Sequence, residues 1–350
     1  MEVVSMKNKV WILFDCPDES NDKKWLIEEL YKLHGGNVYS VSIHKTLWKL
    51  FVENALQKIY AHLIVLWQCV RAMALSSKDD VFITWNPRNG LYLNAMLRLL
   101  NRKNRLISMN WLSPAPNILK RKKLIKWMFE NPNARIIMNS PESVSDWNRC
   151  IGLKESDVTV IPDVYDNDTV FHKRELWEKY CFTGGFNNRD WNVVRNLALH
   201  FSAINFICVA HKEDFEKNIE DKSLPSNMIV HYDIAPEKYY ELMRQAFVVL
   251  LPFRDKRVAG LINILKSASY GIPCMITKTA STEQYYEPNS PLLIGNGNWQ
   301  IWKDSLKDLL EMEKESYEKL CADFSGYIQE NFSPQIAAKR IYQNCVLDNH

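Results

Sequence analysis

Twelve short apolar runs, each followed by a longer segment of helical spacing, set the tightest limit on what this chain can fold into. In the first half they are Val10–Asp15, Val38–Ile43, Val81–Trp85, Leu106–Asn110, Arg135–Asn139 and Val158–Ile161. In the second half they are Tyr180–Thr183, Asn205–Val209, Met228–Tyr232, Phe247–Leu251, Cys274–Thr277 and Leu292–Ile294. Strands apolar along nearly their whole length are buried on both faces, the mark of parallel sheets covered by helices. The expected fold class is therefore α/β: doubly wound parallel sheets, Rossmann-like, formed twice.

A length of 350 residues fits two such domains. Pro162 to Leu176 carries turn formers and acids without apolar periodicity, the composition of a linker. The expected division is a first domain over 1–170 and a second over 171–332. A final helix over 333–350, capped by Ser333 with Pro334 at its first position, would pack back on the first domain. Two nucleotide-binding-type domains in series imply a cleft, with ligands at the carboxyl ends of the strands.

The eight cysteines form no Cys-x-x-Cys pair and no zinc-like cluster, so they read as small core residues in a reducing compartment. Met1 to Lys9 has no apolar run of signal-peptide length, and the expected location is cytoplasmic. The longest apolar stretch, Ile59–Val70, falls short of the ~20 residues that span a bilayer. Charge is unevenly spread: from Val81 to Phe129 there are ten Lys and Arg and no Asp or Glu. A strongly basic face on the first half follows.

Two segments carry the chemistry. In Tyr180-Cys-Phe-Thr-Gly-Gly-Phe-Asn-Asn-Arg-Asp-Trp191, a strand meets Gly184 and Gly185, then a polar loop, then a helix capped by Asp190. Glycines let backbone approach a phosphate, the helix start adds free N–H groups, and Arg189 adds a full charge. The spacing is not Gly-x-Gly-x-x-Gly, which weighs against hydride transfer. The second segment runs from strand Phe247–Phe253 through Arg254 to a helix opened by Gly260 and Leu261 and stopped by Gly271 and Pro273. It supplies a second helix start beside Arg254 and Arg257.

The order of these pieces from Phe182 to about Phe332 resembles the donor domain of the retaining glycosyltransferases of family 4, which have the GT-B fold. The likeness is carried by Gly184, Gly185, Arg189, Asp190 and Trp191, then Gly260, Gly271 and Pro273, then Glu283. More loosely, Ile137-Met-Asn-Ser-Pro141 and Val160-Ile-Pro-Asp-Val-Tyr-Asp166 resemble the end of that family's acceptor domain. The resemblance implies a metal-independent transferase that takes a sugar from a nucleotide-sugar with retention of configuration. No cofactor beyond that donor substrate is implied.

On this reading Gly184, Gly185, Arg189, Arg254, Gly260, Leu261, Lys266 and Glu283 bind the donor. Arg189 and Lys266 would stabilise the departing diphosphate. The family has a pair of glutamates around this helix; Lys266 takes the place of the second, and the first falls near Ala259. Lys266 is then an exposed helix residue, a contact in an altered donor site, or the sign of a degenerate one. His44, ending a predicted strand, is either an acid/base or sugar contact, or a capping or core histidine. Asp166-Asn167-Asp168 reads as a solvated loop rather than a metal motif.

Leu119–Phe129 sets Lys120, Arg121, Lys122, Lys123 and Lys126 beside Trp127, a pattern suited to an anionic membrane surface. Thr46–Leu75 also has apolar residues at helical spacing (Leu47, Leu50, Phe51, Ile59, Leu63, Leu66, Val70) with Trp48 and Trp67, which read mostly as a packed face. The partners expected are a nucleotide-sugar, a glycan or lipid-linked acceptor and an anionic membrane surface; no nucleic-acid module is visible. The resulting expectation is a membrane-peripheral transferase on the inner face of the plasma membrane, working in surface polysaccharide assembly. The alternative is a catalytically silent homologue that acts as a binding or partner subunit.

Overall fold

The computed structural model describes residues 8–15, 21–42, 55–114, 122–173, 179–185, 188–255, 260–295 and 298–347. The chain forms two compact units. One joins Met1–Pro162 to Pro334–His350; the other is Asp163–Ser333.

The first unit holds a six-stranded sheet of β1 (Val10–Leu13), β2 (Val38–Val41), β3 (Val81–Thr84), β4 (Arg105–Ser108), β5 (Ala134–Met138) and β6 (Val158–Val160). Every pairing is parallel, in the order β2-β1-β3-β4-β5-β6. Between the strands lie α1 (Asn21–His34), α2 (Ala55–Leu75), α3 (Pro87–Leu99), α4 (Lys122–Phe129) and α5 (Pro141–Ile151). The chain moves one way from β1 to β2 and the other way thereafter. Right-handed crossovers therefore put α1 on one face of the sheet and α2 to α5 on the other. Strand residues Ile12, Leu13, Phe82, Ile83, Leu106, Ile107 and Ile136 are buried, as two-sided coverage demands.

Asp80 pins this sheet. Its carboxylate accepts from Trp11 Nε1 (2.9 Å), the N–H groups of Lys9 (3.0 Å) and Ser77 (2.9 Å), and Ser77 Oγ (2.8 Å). Burial by itself would raise its pKa, but these donors outweigh burial and hold it below the usual value.

The second unit repeats the plan with β7 (Tyr180–Gly184), β8 (Asn205–Ala210), β9 (Met228–Tyr232), β10 (Val248–Leu251), β11 (Cys274–Thr277) and β12 (Leu293–Ile294). Its strand order is β12-β11-β10-β7-β8-β9, again all parallel. The helices are α6 (Trp191–His200), α7 (Lys212–Asn218), α8 (Pro236–Gln245), α9 (Leu261–Ser269), α10 (Ala280–Glu283), α11 (Trp299–Leu310) and α12 (Lys314–Asn331). The order reverses between β7 and β10, so the loops that leave these two strands diverge at a topological switch point.

The boundary at Pro162–Asp163 precedes the expected 170/171, because the linker is bonded into the second unit. Asp163 N–H donates to Tyr285 Oη (2.8 Å), and Tyr165 N–H donates to the Phe332 carbonyl (3.2 Å). After Ser333 the chain returns to the first unit as α13 (Pro334–Ile341), which packs on α1 and continues into a π-helical turn, Tyr342–Val346. Arg105 fastens that turn by donating to Val346 O (2.7 Å), and Tyr342 sets its ring edge-on to His34.

All twelve apolar runs are strands, with ends shifted by no more than two residues. One sequence expectation is overturned. On α2 the packed residues are Ala61, Ile64, Val65, Gln68, Cys69, Ala72 and Met73, whereas Ile59, Leu63, Leu66, Trp67 and Val70 face solvent. A helix apolar on two stripes leaves periodicity unable to choose between them; Leu47, Trp48, Leu50 and Phe51 lie outside the described residues. The expected basic face stands, although Arg102 of the basic run is committed to a helix end. Arg102 donates to the carbonyls of Met73 (2.8 Å) and Ser77 (2.8 Å) and closes the end of α2.

Of the seven cysteines described, all but the half-buried Cys150 are buried. Burial pushes the Cys69 and Cys274 thiols up to about 12, far from a nucleophilic thiolate.

Replacing Asp80 by Ala should cost about 2–4 kcal/mol, read from urea melts, since four donors lose their acceptor. Because the folded pKa is depressed, the wild-type contribution should be complete above about pH 4 and vanish as pH falls through the folded value.

Candidate functional site

The loops after β7 and β10 are stitched together at the switch point of the second unit. Arg189 and Phe253 form an isolated antiparallel bridge, Asp190 N–H donates to Pro252 O (2.9 Å), and Arg254 N–H donates to Asn188 O (3.2 Å). Asn188, at φ +60°, also donates through Nδ2 to Asp255 O (3.0 Å). Phe253 N–H reaches Thr277 Oγ1 (2.8 Å), so the end of β11 joins the same cluster. Asp190 caps α6 by accepting from Asn192 and Val193 N–H groups, 3.1 Å each, as its position before Trp191 predicts.

Arg189 stands at the centre of this cluster. It is 1% exposed, and its Nε donates to Gly184 O (2.8 Å). Its guanidinium lies 5.2 Å from the Phe253 ring centroid. Two glycines make room for it. A Cβ on Gly185, at φ +139°, would meet Arg189 Nη2 at 2.8 Å; a Cβ on Gly260, at φ +74°, would overlap the same atom. Gly184 serves a different neighbour: a Cβ there would meet Tyr239 Oη at 2.5 Å.

Gly260 is the N-cap of α9 and supplies no capping side chain, so the start of that helix is not closed by its own cap residue. Burial lowers the Arg189 pKa, while Tyr239, Cys274 and Asp214 oppose the shift. The guanidinium stays protonated, since arginine does not give up its proton in proteins. No carboxylate is bonded to it, and Nη1 has no hydrogen-bond partner among the described residues. A buried charge without a counter-ion costs several kcal/mol. The site is thus electrostatically incomplete, and an anion is what would complete it.

The other predicted residues are engaged elsewhere. Lys266 is neither a free exposed cation nor an open ligand contact: its Nζ pairs with Asp166 Oδ2 at 2.8 Å and lies 6.0 Å from the Tyr240 ring centroid. Asp166, read from sequence as a solvated loop acid, holds α9 to the linker. Burial would lower the Lys266 pKa, but the bond and charge of Asp166 outweigh it and raise the value. Arg254 faces Asp214 at 3.5 Å, and Glu283 pairs with Lys278 at 2.8 Å. Leu261 is buried at the first turn of α9. His44, Lys120, Arg121 and Arg257 lie outside the described residues; Lys122, Lys123, Lys126 and Trp127 are on α4 in the first unit.

Sequence reading missed Tyr239, Asn263 and Thr183. Tyr239 is half-buried with its hydroxyl enclosed and its ring edge-on to Phe182, Asn263 Nδ2 donates to Gly184 O (3.4 Å), and Thr183 Oγ1 is buried without a partner among the described residues. Tyr239 comes from α8, more than fifty positions after Gly184, so no local motif signals it. Asn263, an amide buried among the apolar residues that open α9, was the one readable signal.

The first unit has its own polar cluster at the carboxyl ends of β1, β3 and β4. Asn86 caps α3 and donates to Asp15 Oδ2 (2.6 Å); Thr84, Ser108 and Trp111 Nε1 form a buried chain of hydrogen bonds. Asn86 followed by Pro87 is a helix-start signal legible in the sequence. Among the described residues no group of three or more His, Cys, Asp and Glu has a metal-site arrangement.

No protein-family model matches the chain, and no curated protein matches it by sequence. Solved structures do resemble it. A trehalose-6-phosphate protein from E. coli bound with UDP-2-fluoro glucose superposes with a TM-score of 0.68 at 10% identity, covering 97% of this chain and 100% of that one. The UDP-forming α,α-trehalose-phosphate synthase of Burkholderia vietnamiensis gives 0.66 at 10%, covering 97% and 99%. HepE of Anabaena, in complex with UDP-glucose, gives 0.66 at 11%, covering 96% and 98%. The fold is GT-B. Two Rossmann-like units, each with a switch point at the carboxyl ends of its strands, are the GT-B plan, and Arg189 lies at the switch point of the second.

Gly260→Ala should destabilise the GT-B fold by roughly 1–3 kcal/mol in chemical denaturation, because the methyl group meets Arg189 and the backbone is left-handed. A double-mutant cycle on Lys266→Ala and Asp166→Ala should give a coupling of about 0.5–1 kcal/mol, as both groups are partly exposed. With the Lys266 pKa raised, that coupling should hold in full between neutral pH and about pH 10 and be lost as pH rises through the folded value.

Proposed function

We propose that this chain is a retaining glycosyltransferase, metal-independent, that binds a nucleotide-sugar through its second unit and a glycan or lipid-linked acceptor through its first. The observation that carries the reading is the buried Arg189 guanidinium, bonded to no carboxylate among the described residues, between the backbone turns at Gly185 and Gly260. A nucleoside diphosphate supplies two phosphates' worth of negative charge, and its charge rises further when the sugar–phosphate bond breaks. A fixed cation and the start of α9 stabilise that developing charge without a metal. The neighbours with UDP-glucose or UDP-2-fluoro glucose bound share this fold at about one residue in ten, which supports the reading through fold alone.

Retention of configuration and the family 4 assignment rest on the motif resemblance around Gly184, Arg189, Gly260 and Glu283. Lys266 would reach the diphosphate only after releasing Asp166. An acceptor on a lipid carrier would be met at a membrane, where α4 offers Lys122, Lys123, Lys126 and Trp127; this suits a role in surface polysaccharide assembly. The Lys266–Asp166 pair also favours a second reading, a catalytically silent GT-B protein whose donor site is closed by that contact.

A thermal-shift screen against UDP, GDP, ADP, CMP, their sugar conjugates and NAD(H) separates the two. Saturation at about 100 times Kd should add about 2.7 kcal/mol of stability. A midpoint rise with one nucleoside diphosphate, lost in Arg189→Lys while the variant keeps its native circular dichroism, supports the transferase. No rise with any nucleotide would sink it in favour of the silent homologue.

A further inference from the structure

The outward surface of α2 carries an apolar stripe that folding leaves exposed. Ile59, Leu63, Leu66, Trp67 and Val70 are all exposed, Leu63 to 56% and Trp67 to 65%. At 100° per residue these five fall within an arc of about 100° and extend about 16 Å along the axis. They form a continuous stripe, unlike the scattered apolar residues any surface carries.

The stripe belongs to a platform. α2, α3 and α4 pack side by side on one face of the first sheet. His62 of α2 bonds Tyr92 of α3 (Nδ1···Oη 3.0 Å), and the Arg98 guanidinium of α3 lies 5.0 Å from the Trp127 ring centroid of α4 while bonding its carbonyl. Leu124 and Trp127 on α4 are exposed, as are Leu99 and Leu100 at the end of α3. Across these three helices there are seven Lys and Arg and no Asp or Glu.

We propose that this face docks the chain on an anionic lipid bilayer, with the α2 stripe entering the interface and the α4 cations meeting the headgroups. Exposed aliphatic and Trp side chains beside uncompensated cations are the surface an interfacial helix presents to anionic lipid. No described helix is long and apolar enough to cross a membrane, so the contact is peripheral. A second copy is a poor occupant: two-fold pairing would bring one acid-free cationic face against another. The proposal deepens the membrane element of the proposed function by assigning the α2 stripe to it; it does not rest on nucleotide binding, whose failure would leave it untouched.

The test is co-sedimentation of the full chain with vesicles of phosphatidylcholine alone and of phosphatidylcholine mixed with phosphatidylglycerol. Wild type should sediment with the mixed vesicles, and salt should weaken the association. Leu63→Asp with Trp67→Asp, both at exposed positions, should reduce binding about tenfold or more with an unchanged thermal midpoint. Lys122→Glu, Lys123→Glu and Lys126→Glu together should abolish the preference for phosphatidylglycerol. Quenching of tryptophan emission by brominated lipid should drop in Trp67→Phe. Wild type that ignores both vesicle types, or a double Asp variant that binds like wild type, overturns the proposal. So does a dimer in sedimentation velocity that the double Asp variant makes monomeric, which would assign the face to a second copy.

Discussion

Neighbouring strands in both sheets all run the same way, and a parallel pair can be joined only by a crossover long enough to hold a helix. Most of the architecture follows from that constraint. Crossover helices cover both faces, so strand interiors are apolar throughout. The starts of the helices gather at the carboxyl ends of the strands, and polar residues gather with them. Where the strand order reverses, two loops diverge and leave a place that no side chain of the sheet fills. In the second unit that place holds Arg189; in the first it holds Asp15 and Asn86, beside Thr84 and Ser108 at the ends of β3 and β4.

Burial of Arg189 is expensive for the fold and is tolerated through local devices. Gly184 O accepts a hydrogen bond from its Nε, Phe253 lies close to the guanidinium, and two glycines, having no Cβ, leave room for it. These devices orient the charge without neutralising it. The carboxylate of Asp214, the acid that acts on Arg189, is engaged with Arg254. It is thereby held off the central guanidinium, which is what an anion-binding site requires and what a purely structural ion pair would not show.

α2 illustrates a different balance. It buries one apolar stripe against the sheet and exposes a second, while Arg98 and His62 tie its neighbours into a rigid face. Stability accounts for the inner stripe alone. The outer one stays exposed, and it is the stripe proposed above to meet the bilayer, beside helices that carry no acids.

Much was legible in the sequence because it depends on local chemistry. Two-sided burial wrote the twelve strands as apolar runs, and Asp190 before Trp191 marked the start of α6. The Gly-Gly step before Arg189 marked the loop of the candidate site. Tertiary structure decided the rest, because each remaining question concerned partners distant in the chain. Lys266 meets Asp166 across a hundred positions, and Tyr239 backs Gly184 from another helix. The linker joined the second unit through Tyr285 and Phe332 rather than ending where its composition changed. On α2 both stripes satisfy the same 3.6-residue period, so only packing against the sheet could select the one to bury.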